Sequence, residues 1–165
     1  MNPLLDNTTL FSLMRTLQNA RKIVIMGHRG PDGDALGAAL GWAEYLQGLG
    51  KSAIIVMPNP FPDFLRWLPN SEKVVFYDHK RDVARHLIEG TDLICMLDFN
   101  SLHRLQEMGD VVANSKAERL MIDHHLSPDT TCAQTIISHP EMSSTSELVF
   151  RLIYQLGGYE TMTTQ

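Results

Sequence analysis

The sequence predicts an α/β fold, built as a mostly parallel sheet with helices on both faces. Short apolar runs alternate with stretches of helical periodicity along the chain, which is the order that β-α-β units produce. The runs are apolar throughout, and such strands are typical of sheets that are buried on both faces. A chain of 165 residues is enough for one domain with its own core, and we predict a single domain over residues 1–165.

Each predicted strand is a short apolar run between turn or helix signals. In chain order the strands are expected at residues 22–26, 52–57, 73–77, 92–97, 119–122 and 131–137. Between the second and the third, residues 59–70 are rich in proline, which predicts an irregular loop. We expect this loop to carry Phe61, Phe64 and Trp67 back onto the core.

The helices are predicted from their caps and from apolar residues at helical spacing. The first begins after a cap at Asp6 or Asn7. The next three are expected at residues 33–49 with Gly50 as the C-terminal cap, at residues 81–89, and from near Ser101. The last begins at the capping box Ser144-Thr145-Ser146-Glu147 and ends near Leu156.

Composition and charge argue against several classes of function. The chain has 14 Lys and Arg against 19 Asp and Glu, a net charge of −5, so a duplex-DNA partner is not expected. It has no apolar stretch of membrane-spanning length and no basic leader before one, so we predict a cytoplasmic protein without a membrane partner. Cys95 and Cys132 form no CxxC pair and are predicted to be buried free thiols.

Metal-capable residues follow three of the predicted strands directly. They are His28, Asp32 and Asp34 after the first strand, Asp98 after the fourth, and Asp123, His124 and His125 at the end of the fifth. Ligands of open α/β sheets bind beyond the carboxyl ends of the strands, so we expect all three groups to meet in one crevice.

The chemistry of this set favours a pair of divalent cations. Clustered carboxylates repel one another unless cations neutralise them. Mixed carboxylate and imidazole ligands suit manganese, iron or zinc better than calcium, and the set is larger than one tetrahedral ion requires. Two bridged ions polarise a phosphoryl group and lower the pKa of water, so hydrolysis of a phosphate ester is the predicted reaction.

Each group taken alone has a simpler explanation. Asp32-Gly33-Asp34 is typical of a turn followed by a helix cap, Asp98 could cap the next helix, and residues 123–125 could form a surface turn. Independent caps and turns have no reason to coincide at one edge of a sheet, and this coincidence favours the metal site.

These motifs resemble those of the DHH superfamily of phosphoesterases. The segment 27–37, GHRGPDGDALG, resembles its first motif, Leu97-Asp98 its second, and Asp123-His124-His125 the motif that names it. The run Ser144-Thr145-Ser146-Glu147 resembles the helix start that follows, and the match spans about residues 20–157 in the same order. The sequence looks most like the branch of bacterial oligoribonucleases and phosphoadenosine-phosphate phosphatases, often labelled exopolyphosphatase-related.

The resemblance implies a role for each matching residue. His28 and Asp32 would bind one Mn²⁺, Asp34 and His124 the second, and Asp98 both; Mg²⁺, Co²⁺ or Zn²⁺ are the expected substitutes. The implied catalytic residues are Asp98 and His125, with His125 beside the centre to touch a substrate phosphate or to support the nucleophile. Asp123 would hold the histidine pair by hydrogen bonds.

Three further residues near these motifs have two interpretations each. Asn100 is interpreted as a helix cap, with a hydrogen bond near the metals as the alternative. Arg104 is interpreted as a solvated surface arginine, with contact to a substrate phosphate as the alternative. Ser144 is interpreted as a helix N-cap, a role compatible with a substrate anion at the same helix end.

The sequence departs from the family pattern at its end. The resemblance implies a further ligand aspartate after the last helix and a C-terminal substrate-binding domain, and neither is expected within these 165 residues. We therefore expect the chain to be the N-terminal domain, with weak or no activity on its own.

The predicted function is manganese-dependent hydrolysis of phosphodiester or phosphomonoester bonds. The expected partner is a short single-stranded oligonucleotide or a small phosphorylated nucleotide, and a homo-oligomer is compatible with the sequence. The alternative is a metal-binding regulatory or nucleotide-binding module that does no chemistry.

Overall fold

Six parallel strands form one sheet in the computed structural model, which describes residues 2–162. The strands are β1 (Lys22–Met26), β2 (Ser52–Met57), β3 (Val75–Phe76), β4 (Leu93–Leu97), β5 (Glu118–Asp123) and β6 (Thr135–Ser138). The helices are α1 (Asn7–Asn19), α2 (Gly33–Gly48), α3 (Arg81–Glu89), α4 (Glu107–Asn114) and α5 (Thr145–Gln155). The strand order is β3-β2-β1-β4-β5-β6, so the predicted α/β class is confirmed. Met1 and residues 163–165 of the predicted domain lie outside the described residues.

The side chains of each central strand alternate between two hydrophobic layers. In β1, Ile23 and Ile25 pack into one layer, while Val24 and Met26 pack into the other. Helices α1, α2 and α5 cover the first layer, and α3 and α4 cover the second. This double coverage explains why β4 is apolar at every position and β1 at every position after Lys22.

Local signals place most helix ends where the sequence predicts them. The Asp6 carboxylate accepts a hydrogen bond from the Thr9 N–H at 2.9 Å and caps α1. Gly50 follows α2 with φ of 77°, a conformation that costs glycine little.

The buried thiols of Cys95 and Cys132 are free, as predicted. Among the helices within residues 2–162, none combines the length and the apolar composition needed to cross a bilayer.

Three predicted elements differ in extent. The third strand is reduced to Val75–Phe76, because residues 71–73 form a 3₁₀ turn. The sixth begins only at Thr135. The helix expected from Ser101 is a 3₁₀ turn, Leu102–Leu105, followed by α4, because the backbone of Gln106 takes φ of 51° and interrupts the helix.

The proline-rich loop does not place all three of its aromatic residues on the core. Phe61 is buried as predicted, but Phe64 and Trp67 are 74% and 75% exposed, so the prediction is wrong for these two. Residues 63–65 form a single 3₁₀ turn, and Leu65 occupies its buried side. One turn has room for one inward side chain, so its neighbours face outward.

A close backbone approach makes Gly109 the most sensitive helical glycine for stability. A Cβ atom on Gly109 would lie 2.6 Å from the carbonyl oxygen of Leu102, so we expect Gly109→Ala to lower the free energy of unfolding by about 1–3 kcal/mol. Gly48→Ala is the matched control, because a Cβ atom there meets nothing within 4 Å; it should stabilise by about 0.5–1 kcal/mol. Chemical denaturation of the two variants measures both values, and equal effects would contradict the packing argument.

Candidate metal centre

The carboxyl ends of three adjacent strands bring the predicted metal-capable residues together. Strands β1, β4 and β5 are neighbours in the sheet. His28 lies two residues beyond β1, Asp98 follows β4 directly, and Asp123 is the last residue of β5. The topology therefore places side chains from distant parts of the sequence at one edge, as expected for open parallel sheets.

Two groups of potential ligands share one carboxylate. His28, Asp32 and Asp98 form the first group, and Asp98, His124 and His125 form the second; within each group the ligand atoms lie within 4.8 Å of one another. The His28 Nε2 atom is 3.6 Å from Asp98 Oδ2 and 3.9 Å from Asp32 Oδ2. Asp98 is therefore the common member of both groups.

The second group faces the other oxygen of the same carboxylate. The His124 Nε2 atom is 3.6 Å from Asp98 Oδ1 and equally 3.6 Å from Asp34 Oδ2. The His125 Nδ1 atom is 3.8 Å from Asp98 Oδ1. One oxygen of Asp98 thus faces His28, and the other faces His124.

The two histidines that face Asp98 through Nε2 have a defined tautomer. The Nδ1 atom of His28 lies 2.9 Å from the carbonyl oxygen of Arg29, and that of His124 lies 3.3 Å from the carbonyl oxygen of Met142. A carbonyl only accepts, so in the neutral ring Nδ1 carries the proton and Nε2 presents a lone pair to the carboxylates.

This donor set fits divalent cations. Lone pairs of imidazoles and carboxylates face one another at 3.6–3.9 Å, longer than a good hydrogen bond. Ligand atoms at about 2.0–2.2 Å from a shared ion are separated by roughly 3–4 Å. A cation between them would accept these lone pairs and relieve the repulsion.

Local backbone geometry turns Asp98 and Asp32 toward the centre. Asp98 is buried and takes φ of 65°, a left-handed conformation that aspartate tolerates better than most residues. Asp32 is the N-cap of α2, where its Oδ1 atom accepts hydrogen bonds from the N–H groups of Asp34 and Ala35 at 3.0 Å. Its other oxygen remains for His28 or an ion.

The N-terminus of α5 holds two of the carboxylates from the far side. The N–H groups of Thr145 and Ser146 each donate to one oxygen of Asp34 at 2.8 Å. The hydroxyl of Thr145 donates to Asp98 Oδ1 at 2.9 Å. Thr145 and Ser146 were not among the predicted site residues, although four consecutive hydroxyl residues, 143–146, mark a helix start whose N–H groups need acceptors.

The carboxylates respond to these surroundings in opposite directions. Burial raises the pKa of Asp98, the hydrogen bond from Thr145 and the contact with His28 oppose the rise, and the charges of Asp34 and Asp32 add to it. Burial would also raise the pKa of Asp34, but the hydrogen bonds from Ser146 and Thr145 outweigh it and hold that pKa below its ordinary value. The Asp98 carboxylate is the main cause of the raised pKa of His28.

Asp123 holds only one of the two histidines that it was expected to fix. Its buried carboxylate accepts from His125 at 2.7 Å through Nδ1 and at 3.0 Å through the backbone N–H. His124 is held instead by the Met142 carbonyl group. His125 is exposed, and its Nδ1 atom is engaged by Asp123, which leaves Nε2 for contact with a substrate.

The remaining predicted residues lie around this centre. Asn100 does not cap a helix; its amide donates to the Leu126 carbonyl at 2.9 Å and ties the loop after β4 to the loop after β5. Arg104 is exposed on the 3₁₀ turn, and its carbonyl accepts from the Arg29 N–H at 2.9 Å. Ser144 is the N-cap of α5, where its hydroxyl accepts from the Glu147 N–H at 3.0 Å.

The chain is similar to several known proteins along most of its length. A solved exopolyphosphatase-related protein from Bacteroides fragilis has a TM-score of 0.95 and 43% identity, covering 99% of this chain and 48% of that one. The bifunctional oligoribonuclease and PAP phosphatase NrnA of Thermus thermophilus is 31% identical over 135 residues, covering 82% of this chain and 37% of the relative. A probable manganese-dependent inorganic pyrophosphatase of Streptococcus thermophilus is 27% identical over 137 residues, covering 79% and 40%.

The chain spans less than half of the length of each of these three proteins. The matches confirm the resemblance to the oligoribonuclease and exopolyphosphatase-related branch that the motifs indicate. Residues 22–165 match the DHH family, N-terminal domain. Because that match covers most of the sequence, the chain belongs to the DHH family, as its N-terminal domain.

Proposed function

We propose that the protein is a two-metal, manganese-dependent phosphoesterase that acts on short oligonucleotides or small phosphorylated nucleotides. The observation that carries this proposal is the shared position of Asp98, whose two oxygens face different histidine groups. Further support comes from relatives whose names describe an oligoribonuclease and PAP phosphatase and a manganese-dependent pyrophosphatase. A cytoplasmic location and the domain range 1–165 stay predictions.

Each ligand has an assigned place in this proposal. His28 and Asp32 would hold one ion, Asp34 and His124 the other, and Asp98 both. Bound divalent ions would supply Lewis-acid stabilisation of a phosphoryl group and a lowered pKa for water. Asp32, Asp34 and Asp98 bring three negative charges to the site, which suits divalent cations and opposes an anionic substrate without them.

The other residues of the centre hold the ligands in place and receive the substrate. Thr145 fixes one oxygen of Asp98 by a hydrogen bond, which restricts the rotation of that carboxylate. Asp123 fixes the ring of His125, and we assign to His125 Nε2 the contact with a substrate phosphate. A hydrogen bond from one ring nitrogen to a carboxylate is a common way of orienting a histidine in a metal site.

Metal removal tests the function directly. In the full-length protein, we expect hydrolysis of a 5′-phosphorylated dinucleotide to require Mn²⁺, to stop in excess EDTA, and to return when Mn²⁺ is restored. Titration calorimetry should give two Mn²⁺ ions for each chain. Undiminished hydrolysis in EDTA would contradict the proposal.

The 165-residue chain assayed beside the full-length protein separates the two candidate functions. Because substrate recognition is expected in a second domain, the short chain should bind Mn²⁺ but hydrolyse the dinucleotide slowly or not at all. If the full-length protein also binds Mn²⁺ and hydrolyses neither the dinucleotide nor a 3′,5′-bisphosphorylated adenosine, the non-catalytic regulatory module becomes the better description.

A further inference from the structure

Two large aromatic side chains lie open to solvent on one loop of the described chain. Phe64 and Trp67 are among its most exposed large apolar residues, although the same loop buries Phe61 and Leu65. Aromatic side chains of this size normally bury much of their surface, so their exposure on one loop calls for an explanation. The core of the domain does not provide it.

The loop borders the candidate metal centre. The N–H group of Gly30 donates to Asn59 Oδ1 at 2.7 Å, which ties the loop to the segment between His28 and Asp32. A Cβ atom on Gly33 would lie 3.8 Å from Leu65 Cδ2, so Leu65 packs against the backbone between two of the proposed ligands.

The aromatic pair lies on the part of the loop that contacts the segment of the metal centre. Phe64 precedes Leu65 directly, and Trp67 follows it by two residues. Consecutive Cα atoms are about 3.8 Å apart, so the backbone of both residues lies within about 8 Å of Leu65, which contacts Gly33 between Asp32 and Asp34.

The turn that carries the two aromatic residues is closed by hydrogen bonds and contains a paired acid and base, which suits an uncharged, flat ligand. Its turn is closed by hydrogen bonds from Leu65 N–H to the Pro62 carbonyl at 3.0 Å and from Arg66 N–H to the Asp63 carbonyl at 3.1 Å. The Arg66 guanidinium is paired with the Asp63 carboxylate at 2.8 Å. Asp63 and Arg66 balance each other, so the turn carries no net charge and offers aromatic area rather than a cationic site for a phosphate.

We propose that Phe64 and Trp67 form a stacking surface for a nucleobase of the substrate whose phosphate lies at the metal centre. This inference rests on the proposed function and assigns the residues that would hold the base of its substrate. Aromatic side chains stack on any nucleobase, since every base has a π-face, and such contacts are a general means of holding single-stranded nucleic acid. A nucleotide joins a base and a phosphate in one small unit, which matches an aromatic surface beside a cation site.

Binding of AMP and of ribose 5-phosphate tests the stacking surface. In the full-length protein with Mn²⁺, calorimetry should show AMP affinity reduced roughly 5- to 100-fold by Phe64→Ala or Trp67→Ala. Affinity for ribose 5-phosphate, which lacks the base, should not change. Phe11→Ala is the matched control, because Phe11 is 69% exposed on α1, outside the centre; it should alter neither affinity.

Two results would overturn the stacking surface. One is an unchanged AMP affinity in both variants. The other is an equal loss for AMP and ribose 5-phosphate, which would point to a role of the loop in folding or in contact with another domain or a second copy.

Dinucleotide hydrolysis by the unmodified protein is measured in parallel. If that hydrolysis is absent while the variants still lose AMP affinity selectively, the enzymatic function fails and the stacking surface stands. If hydrolysis requires Mn²⁺ and the variants keep full AMP affinity, the function stands and the stacking surface fails.

Discussion

Asp98→Asn is expected to abolish two-metal binding and to lower kcat/KM for a dinucleotide by about a thousandfold or more. The amide keeps the size of the side chain and an oxygen that can accept from Thr145, but its NH₂ group cannot bind a cation. The carboxylate faces His28 through one oxygen and His124 through the other, so one group must lose its shared ligand. A loss of about 4 kcal/mol of transition-state stabilisation, ordinary for metal catalysis, corresponds to that factor.

Thermal unfolding separates this effect from a folding defect. At Mn²⁺ about a hundredfold above its Kd, binding stabilises the wild-type protein by about 2.7 kcal/mol, a rise in Tm of roughly 5–10 °C. The Asp98→Asn variant should lose most of this rise. Without metal its Tm should be no lower than that of the wild type, because the change removes a buried carboxylate that lies beside Asp32 and Asp34.

The matched control is Asp82→Asn, an exposed aspartate on α3. It removes the same charge and should leave both the Mn²⁺-dependent rise and the activity as in the wild type. An undiminished rise in Tm in the Asp98→Asn variant would exclude Asp98 as the shared ligand.

Thr145→Val is expected to weaken Mn²⁺ binding by about 10- to 100-fold. Valine has nearly the shape of threonine but lacks the hydroxyl that donates to Asp98 Oδ1 at 2.9 Å. Hydrogen bonds to ligating carboxylates commonly contribute this much to metal affinity. The substitution also removes a buried hydrogen bond to a charged group, so the free energy of unfolding should fall by about 1.5–3 kcal/mol.

Two companion variants separate the effect of the Thr145 hydroxyl on Mn²⁺ binding from its effect on the stability of the fold. Thr145→Ser keeps the hydroxyl and should keep most of the Mn²⁺ affinity. Thr16→Val removes a comparable bond, from a buried threonine to Glu118 at 2.7 Å, but at a distant place in the chain. It should destabilise the fold while leaving Mn²⁺ affinity unchanged. Equal losses of Mn²⁺ affinity in Thr145→Val and Thr16→Val would show that Thr145 acts only through folding.

Local rules account for much of the fold. The apolar runs before Gly27 and Asp98 fix two neighbouring strands, because segments of this composition are stable only when both faces are covered. Asp6, Asp32 and Ser144 cap helices as short-range hydrogen-bonding rules predict. The capping box at α5 holds only in part, since Glu147 accepts from Ser143 rather than from Ser144.

The wrong structural predictions concern loop side chains and the ends of elements. A single turn within the proline-rich loop buries Leu65 and leaves Phe64 and Trp67 exposed, and no periodicity marks which side of one turn faces the core. The helix interruption at Gln106 was missed because residue type does not signal its positive φ. Loops obey tertiary packing more than local propensity, which is why boundaries and loop side chains were predicted least well.

By itself, the sequence determined that acids and imidazoles follow three apolar strands, and parallel topology then requires that these strand ends share an edge. Only the tertiary structure decided which oxygen faces which ring, that Asp123 holds His125 alone, and that the first residues of α5 donate to Asp34 and Asp98. The physical reason is the separation along the sequence of the groups that interact. Burial and backbone periodicity are properties of a short segment, whereas a hydrogen bond between residues 98 and 145 depends on how a helix docks on a sheet.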